Sequence, residues 1–167
     1  MNLSKELSMM AQAAKEAARV AATLSSDVKN EVLKEMAGSL LAKKAFILKE
    51  NKKDIQKAKA AKLPTALIDR LLLDEKRVRQ MSDSLCQIAS LSDPVGEVIK
   101  AWRRPNGLWI HKVRVPIGVI AIIYESRPNV TADCIGLTFK SGNSVILRGG
   151  SEAFNSNLSI YLTLQEV

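Results

Sequence analysis

The 167-residue chain is poor in cysteine, histidine and aromatic residues. Its two cysteines, Cys86 and Cys134, suggest neither a disulfide framework nor a metal site, so both are predicted to be buried thiols in a reducing compartment. The one histidine, His111, has no acidic or cysteine neighbour in the sequence with which to form a catalytic constellation. The aromatic residues are not interleaved with basic ones, so the net charge of +8 does not indicate a nucleic-acid partner.

Long hydrophobic runs are also missing. The longest apolar stretch, at residues 117–124, has the length of a strand, whereas a membrane-spanning helix needs roughly 18 or more apolar residues. The first residues include acidic side chains and no compact apolar segment, which argues against a signal peptide. The sequence therefore predicts a cytoplasmic protein with no membrane partner. Its basic balance leaves an anionic small substrate or cofactor as an open alternative.

Glycine and proline divide the chain into two parts. Residues 1–91 contain only Gly38 and Pro64, and residues 92–167 contain all the others, which predicts a helical part followed by strands and turns. Helix caps are predicted around Ser25 and at Asp74. The predicted buried faces, read from apolar residues three or four positions apart, are Met10, Ala13, Ala17, Val20 and Leu24; Val28, Val32, Met36 and Leu40, continuing towards Ile47; and Val78, Met81, Leu85 and Ile88.

The second part is predicted to alternate strands and helices. Strands are predicted at residues 108–115, 117–123 and 144–147, with a crossover helix at 129–140 and a last helix capped by Ser151. The branched apolar run at 117–123 is typical of a strand buried on both faces. The order strand, helix, strand, helix predicts an α/β fold with a parallel sheet.

Two segments are predicted to lie beyond the carboxyl ends of these strands, where open α/β sheets bind ligands. In the first, residues 124–129, Arg127 could meet a carboxylate or phosphate. Asn129 in that segment could donate to a developing oxyanion or simply cap the next helix. In the second, residues 147–152, Arg148 and a pair of glycines precede a helix, which fits either a phosphate-bearing ligand or an ordinary turn. The residues alone leave these alternatives open.

Several motifs resemble the gamma-glutamyl phosphate reductase family, whose members are also called glutamate-5-semialdehyde dehydrogenases. The longest are KVRVPIGVIAIIYESRPNV at residues 112–130, KSGN at 140–143 and VILRGGSEAFNSN at 145–157. Shorter ones are KN at 29–30, NxxD at 51–54, DRL at 69–71, DPVGEV at 93–98 and RPNGL at 104–108. The resemblance runs from about residue 9 to about residue 160, and YESRPNV together with LRGGSEA is its most specific part.

The resemblance implies an aldehyde dehydrogenase-like fold. Residues 1–91 would be N-terminal helices, and residues 92–167 would begin a Rossmann-like dinucleotide-binding domain. It also implies an enzyme of proline biosynthesis that uses NADPH to reduce gamma-glutamyl phosphate to glutamate-5-semialdehyde and phosphate. Glutamate 5-kinase would be its pathway partner, and the full-length protein would form a homo-oligomer.

The resemblance further assigns roles to individual residues by motif match. Asn129 would be the oxyanion donor. The residues implied at the cofactor, or along the cofactor and substrate channel, are Glu125, Ser126, Arg127, Arg148, Gly149 and Ser151. An arginine at position 148 suits the 2′-phosphate of NADPH. No metal site is implied.

The catalytic cysteine of the family, which forms a thioester with the substrate, is expected well downstream of KSGN and outside this sequence. Neither Cys86 nor Cys134 matches it, so the 167-residue chain is expected to be inactive alone. One alternative is another NAD(P)-dependent aldehyde dehydrogenase, which is disfavoured because SRPNV stands where those enzymes carry a PWNFP-like segment. The other alternative is a non-catalytic nucleotide-binding module.

Overall fold

The computed structural model describes residues 3–167, and helices make up the first part of the chain. Five helices precede the first strand: α1 (Leu3–Ala21), α2 (Ser26–Ala42), α3 (Lys44–Ala60), α4 (Thr65–Leu71) and α5 (Glu75–Ser90). The later elements are β1 (Val98–Arg103), β2 (Trp109–Val113), β3 (Val119–Ile123), α6 (Pro128–Lys140), β4 (Ser144–Arg148), a 3₁₀ turn (Ser151–Ala153) and α7 (Phe154–Gln165). Within residues 3–167, no helix combines the length and apolar character that crossing a membrane requires.

Strands β3 and β4 form the parallel unit that the sequence predicts. They pair from Val119 opposite Ser144 to Ile123 opposite Arg148, and α6 connects them. The predicted α/β class and the order strand, helix, strand, helix are therefore confirmed. The expectation that residues 117–123 are buried on both faces is wrong for the described chain. Ile123 is 80% exposed because only part of this small sheet is covered by helices.

Strands β1 and β2 form a separate antiparallel hairpin. Strand β2 lies within the strand predicted at residues 108–115, whereas β1 is not among the predicted strands. Its side chains mix apolar and basic types and are almost all exposed, so no buried face marks them in the sequence. Gly107, in the turn between the strands, has a φ of +87°, a conformation that glycine adopts readily.

Helices from both parts of the chain share one core. Its buried apolar side chains include Leu33, Met36, Ala37, Leu40, Val78, Met81, Leu85, Ile88, Ala89, Ala132, Ile160 and Leu164. Gly136 of α6 permits the close approach of α5, because a Cβ there would lie 2.7 Å from Leu85 Cδ2 and 3.0 Å from Ile88 Cδ1. The domain boundary near residue 92 stays a prediction, although the core packing crosses it.

The helix starts predicted at Ser25 and Asp74 are confirmed. Ser25 Oγ accepts a hydrogen bond from the Val28 N–H at 3.3 Å, and Asp74 Oδ1 accepts one from the Arg77 N–H at 2.7 Å. The four side chains predicted to face inward on α5 are all buried: Val78, Met81, Leu85 and Ile88. Caps and a strong apolar period therefore located these helices correctly.

The faces predicted for two other helices need correction. Helix α1 exposes Met10 and Val20 and buries Ala18, because its small side chains pack against the parallel strands. Helix α2 exposes Val28 and ends before Ile47, which belongs to α3. In alanine-rich helices several faces have a similar apolar period, so the partner element decides which face is buried.

A buried ionic cluster joins α2 to the turn before β1. The ammonium group of Lys29, whose side chain is 1% exposed, forms an ion pair with Asp93. Asp93 also accepts hydrogen bonds from Val95 N–H at 2.9 Å and Ser26 Oγ at 2.8 Å. Burial alone would raise the pKa of Asp93, but the hydrogen bond from Lys29, followed by those from Val95 and Ser26, outweighs it and holds the pKa below its ordinary value. Burial also lowers the pKa of the neighbouring Lys140.

Candidate functional site

The loop after β3 carries the first candidate segment. Helix α6 follows it with Pro128 at its start, where the fixed φ of proline favours helix initiation. Arg127 precedes the helix and makes no capping hydrogen bond. Asn129 lies exposed in the first turn, and its side-chain amide makes no hydrogen bond within residues 3–167. Asn129 is therefore not the helix cap, and its amide is available to a ligand.

Arg127 and Asn129 line a cleft of about 360 Å³, called the first cleft below. Its other lining residues come from α4, α5, the connection between them and the second turn of α6: Asp69, Arg70, Leu72, Leu73, Arg77, Gln80, Met81, Ser84 and Asp133. Charged and amide side chains outnumber apolar ones in this lining. The first cleft is therefore suited to a small polar ligand.

Three arginines reach the first cleft, and they differ in how many protein contacts they make. Arg77 donates to the carboxylate of Asp69 at 3.0 Å and to two backbone carbonyls, so it closes the α4–α5 connection. Arg70 approaches Glu125 at 3.4 Å. Arg127 has no ion pair or hydrogen bond from its side chain in the described part of the chain. Arg127 can therefore bind an anionic group without losing a structural contact.

A different cleft, of about 540 Å³ and called the second cleft below, collects most of the remaining candidates. The predicted residues that line it are Glu125, Ser126, Arg148 and Ser151. Its other lining residues are Leu63, Leu67, Arg70, Leu71, Ile123, Tyr124, Gly150 and Glu152. The paired strands β3 and β4 both end here, which is the usual position of a ligand site in a parallel sheet.

A hydrogen bond joins the two loops of the second cleft. Ser126 Oγ donates to Glu152 Oε2 at 2.8 Å. The backbone N–H of Glu152 and then the Ser126 hydroxyl lower the pKa of Glu152, and the charge of Arg148 adds to the effect. A Cβ at position 150 would lie 2.5 Å from Ser126 Oγ and 2.8 Å from Glu152 Oε2, so a larger residue there would displace this hydrogen-bonded pair. Arg148 is exposed, and its one hydrogen bond within residues 3–167 goes to the Gly149 carbonyl at 3.3 Å.

Gly149 does not line the second cleft, unlike its neighbours. Asn157 and Tyr124 pack where its side chain would be. The Tyr124 hydroxyl and Thr131 Oγ1 lie 2.7 Å apart, and Thr131 Oγ1 donates to Asn157 Oδ1 at 3.1 Å. Burial raises the pKa of Tyr124, so its phenol stays neutral. These contacts fix the end of β3 against α6 and α7.

Helix α3 supports both clefts through the buried NxxD motif. Asn51 Nδ2 donates to the Leu71 carbonyl at 2.8 Å and to Ser156 Oγ at 3.0 Å, and its Oδ1 accepts from the Leu73 N–H at 2.9 Å. Asp54, one turn along α3, binds the start of α7. The end of α4, which lines the second cleft, and the α4–α5 connection, which lines the first, are thereby held at a fixed position relative to α7.

Neither cysteine is suited to be a nucleophile. Cys86 is exposed on α5 and lines neither cleft, which corrects the prediction that it is buried. Cys134 is half-buried on α6, and burial, with a further contribution from Asp133, raises the pKa of its thiol. Within residues 3–167, no group of three His, Cys, Asp or Glu side chains is arranged to hold a metal ion.

The sequence predicts only the residues at or after the ends of β3 and β4, which form one wall of each cleft. Arg70, which lines both clefts, and Asp133 and Glu152, which line one each, were not among the candidates. Arg70 lies 55 positions before its partner Glu125, so no local spacing connects them. The DRL motif at residues 69–71 was the one sequence signal on the opposite wall.

No protein-family model matches the chain. The curated proteins that it resembles share one name, gamma-glutamyl phosphate reductase. The chain is 54% identical to "Gamma-glutamyl phosphate reductase" of Caldanaerobacter subterraneus subsp. tengcongensis over 161 residues, which are 96% of this chain and 39% of that protein. Other gamma-glutamyl phosphate reductases are similar to the same extent. The chain therefore spans about two-fifths of the length of the curated relatives it matches.

Solved structures agree with this relationship. The gamma-glutamyl phosphate reductase of Thermotoga maritima has a TM-score of 0.93 at 44% identity, covering 96% of this chain and 39% of that chain. A probable aldehyde dehydrogenase from Listeria monocytogenes has a TM-score of 0.69 at 15% identity, covering 97% of this chain and 33% of that chain, and therefore shows the fold alone. The expected aldehyde dehydrogenase-like fold is confirmed.

Proposed function

The chain is a relative of the gamma-glutamyl phosphate reductases over almost its whole length, and from this relationship we propose its function. It supplies an oxyanion donor and part of the nucleotide site for the NADPH-dependent reduction of gamma-glutamyl phosphate to glutamate-5-semialdehyde and phosphate. This reaction is a step of proline biosynthesis from glutamate. The observation that carries the proposal is the exposed, unbonded amide of Asn129 beside Arg127 in the first cleft.

Asn129 stabilises the negative charge that develops on the acyl oxygen. When a thiolate attacks the acyl carbon, the electron pair of the carbonyl moves onto its oxygen, and the amide N–H of Asn129 donates to it. The oxygen re-forms the carbonyl as the C–O bond to phosphate breaks, leaving a thioester and free phosphate. An amide that is already exposed on the first turn of a packed helix needs little reorganisation for this task.

The thiolate must come from a segment outside this chain. The raised pKa of Cys134 disfavours its thiolate, and Cys86 lines neither cleft. Arg127 lines the first cleft with Asn129, and its side chain has no hydrogen bond or ion pair within residues 3–167, so it offers a charged fork to the phosphate of the substrate. These residues therefore bind and orient the acyl phosphate and depend on the external thiolate for the covalent step.

The second cleft fits a nicotinamide cofactor, which supplies the hydride when bound. Arg148 has most of its donors unused, and Ser151 is exposed at the start of the 3₁₀ turn. The carboxylate of Glu152 accepts a hydrogen bond from the Ser126 hydroxyl, which stabilises its negative charge within the protein. Arg148 and Ser151 would hold the adenosine ribose, and the guanidinium fork of Arg148 favours a 2′-phosphate, hence NADPH over NADH.

The proposed substrate also implies partners. An acyl phosphate is made by phosphoryl transfer to a carboxylate, so a kinase acting on glutamate, glutamate 5-kinase, supplies it. A second copy of the protein would cover apolar side chains that the β1–β2 hairpin exposes, such as Trp109 at 61% and Val98 at 49%. Both thiols are unpaired, which is consistent with the reducing cytoplasm.

A hybrid enzyme tests the proposal. This chain would replace the matching segment of the Thermotoga maritima reductase, to which it is 44% identical, and NADP⁺ reduction would be measured with glutamate-5-semialdehyde and phosphate. We expect turnover that requires phosphate, and none from the 167-residue chain alone. A folded hybrid that binds NADPH without turnover would instead support a non-catalytic nucleotide-binding module. Phosphate-independent oxidation would support an ordinary aldehyde dehydrogenase.

A further inference from the structure

The first cleft contains a carboxylate that has no cationic partner. Asp133 lies half-buried in the second turn of α6 and lines the cleft. Its Oδ1 accepts a hydrogen bond from Ser84 Oγ of α5 at 2.7 Å, and within residues 3–167 it forms no ion pair. Asp69, the other carboxylate of this cleft, is already paired with Arg77 at 3.0 Å. Asp133 is therefore the acidic group that the cleft can offer to a ligand.

The Ser84 hydrogen bond fixes where this carboxylate points. It holds one oxygen against α5, and the other oxygen has no hydrogen-bond partner in the described part of the chain. A partly buried carboxylate loses hydration, and this loss is offset when a cation binds to it. An unpaired charged group in a polar cleft, oriented by a second side chain, is typical of a ligand-binding position.

Charges of opposite sign follow one another along this wall of the cleft. Arg127 and Asn129 lie at the start of α6, and Asp133 lies four residues after Asn129, on the same side of the helix. Four residues correspond to roughly 6 Å along a helix axis. This separation is comparable with that between the acyl oxygen and the α-ammonium nitrogen of an extended glutamyl chain. A ligand that is anionic at one end and cationic at the other matches the wall.

We propose that Asp133 is the specificity residue for the α-ammonium group of the substrate. With the acyl phosphate at Arg127 and Asn129, the α-carbon lies one turn along α6, where the unpaired oxygen of Asp133 accepts hydrogen bonds from the ammonium group. This inference rests on the proposed function, because it takes gamma-glutamyl phosphate as the substrate. It goes further because it states how the site selects glutamate-5-semialdehyde over glutarate semialdehyde, which is the same chain without the α-ammonium group.

The test compares two substrates in the hybrid enzyme. Glutamate-5-semialdehyde carries the α-ammonium group, and glutarate semialdehyde is the same chain without it. We expect Asp133→Asn to lower the ratio of their kcat/KM values at least about tenfold, as befits the loss of a charge-assisted hydrogen bond. The kcat/KM for glutarate semialdehyde and the KM for NADP⁺ should stay within about twofold, which a merely structural role for Asp133 would not allow.

Matched variants make the outcome specific. Asp83→Asn removes a carboxylate that is exposed on α5 and does not line the cleft, so it should leave the ratio unchanged. Asp133→Glu keeps the charge and should restore part of the ratio. Asp133→Ser, whose hydroxyl can still pair with Ser84, is a second removal variant if the asparagine variant does not fold. Each variant hybrid and the unmodified hybrid are assayed at the same total substrate concentration. Cyclisation of glutamate-5-semialdehyde then lowers the free aldehyde equally in both and does not affect their comparison.

The two proposals fail in different ways. An unmodified hybrid that turns over neither substrate would overturn the proposed function and this inference with it. A hybrid that turns over both substrates and keeps its preference in Asp133→Asn and Asp133→Ser would overturn the inference alone. Equal losses for both substrates would also overturn it, since they would assign Asp133 a structural role.

Discussion

Asp54 of α3 caps α7 from outside that helix by binding Ser156 twice. Its Oδ2 accepts hydrogen bonds from the Ser156 N–H at 2.7 Å and from Ser156 Oγ at 2.6 Å. Its Oδ1 accepts from the Asn155 amide group at 2.6 Å. The residue that precedes α7, Ala153, has no side-chain oxygen. A buried carboxylate 102 positions before Ser156 therefore satisfies the first donors of the helix.

This cap predicts a stability effect larger than that of an exposed one. Asp54→Ala leaves several buried donors without a partner, at about 1–3 kcal/mol each, so we expect the free energy of unfolding to fall by at least about 2 kcal/mol. Asp74→Ala removes the exposed cap of α5 and should cost about 1 kcal/mol. Denaturant unfolding of the 167-residue chain measures both. Equal losses for the two variants would contradict a dominant role for the buried cap.

Asn129 should matter for the rate of the chemical step. In the hybrid enzyme, Asn129→Ala removes the proposed oxyanion donor, and we expect kcat to fall roughly 10²–10³-fold. The KM for NADP⁺ should change little, because Asn129 does not line the second cleft. Asn106→Ala, an exposed position in the β1–β2 turn, serves as the control. A loss below about threefold would remove Asn129 from the oxyanion site.

Arg148 should set the preference between the two nicotinamide cofactors. Its guanidinium is exposed and mostly unpaired, so Arg148→Met should raise the KM for NADPH about tenfold or more and leave that for NADH nearly unchanged. Arg148→Lys keeps the charge without the fork and should fall between the parent and the methionine variant. Steady-state kinetics of the hybrid with each cofactor measure this. An equal effect on both cofactors would place Arg148 away from the 2′-phosphate.

The Lys29–Asp93 pair predicts that the chain loses stability in acid. Hydrogen bonds hold the pKa of Asp93 below its ordinary value of 3.8, so its contribution is complete above that value and is lost as the pH falls through the lower, folded-state pKa. Unfolding free energies measured from about pH 6 down to about pH 2 should therefore decrease towards the acid end.

Asp93→Asn is the matching variant. It removes the charge that neutralises buried Lys29, so we expect a loss of about 3 kcal/mol or more in the unfolding free energy at pH 7. The acid slope should become shallower in the same variant, because the titrating group is gone. Asp27→Asn, an exposed position on α2, should change neither quantity appreciably. An unchanged acid slope in Asp93→Asn would show that other carboxylates dominate the titration.

The sequence by itself determined the local elements whose signals lie close together in the chain. The caps at Ser25 and Asp74, the apolar face of α5 and the strand–helix–strand order around α6 follow from short-range patterns, because caps and periodicity act within a few residues. The motif around Asn129 likewise indicated the end of a strand as the place for a site.

The tertiary structure decided which faces are buried and what lies opposite each candidate residue. Ser151 was a sequence candidate for the cap before the last helix, yet Asp54 performs that task, because folding brings α3 against α7. The period of α1 suited more than one face, and packing against β4 selected Ala18. The opposite wall of the first cleft comes from α4 and α5, over 40 residues before Arg127 and Asn129. Contacts between such distant segments depend on how the helices pack, and no local spacing in the sequence encodes them.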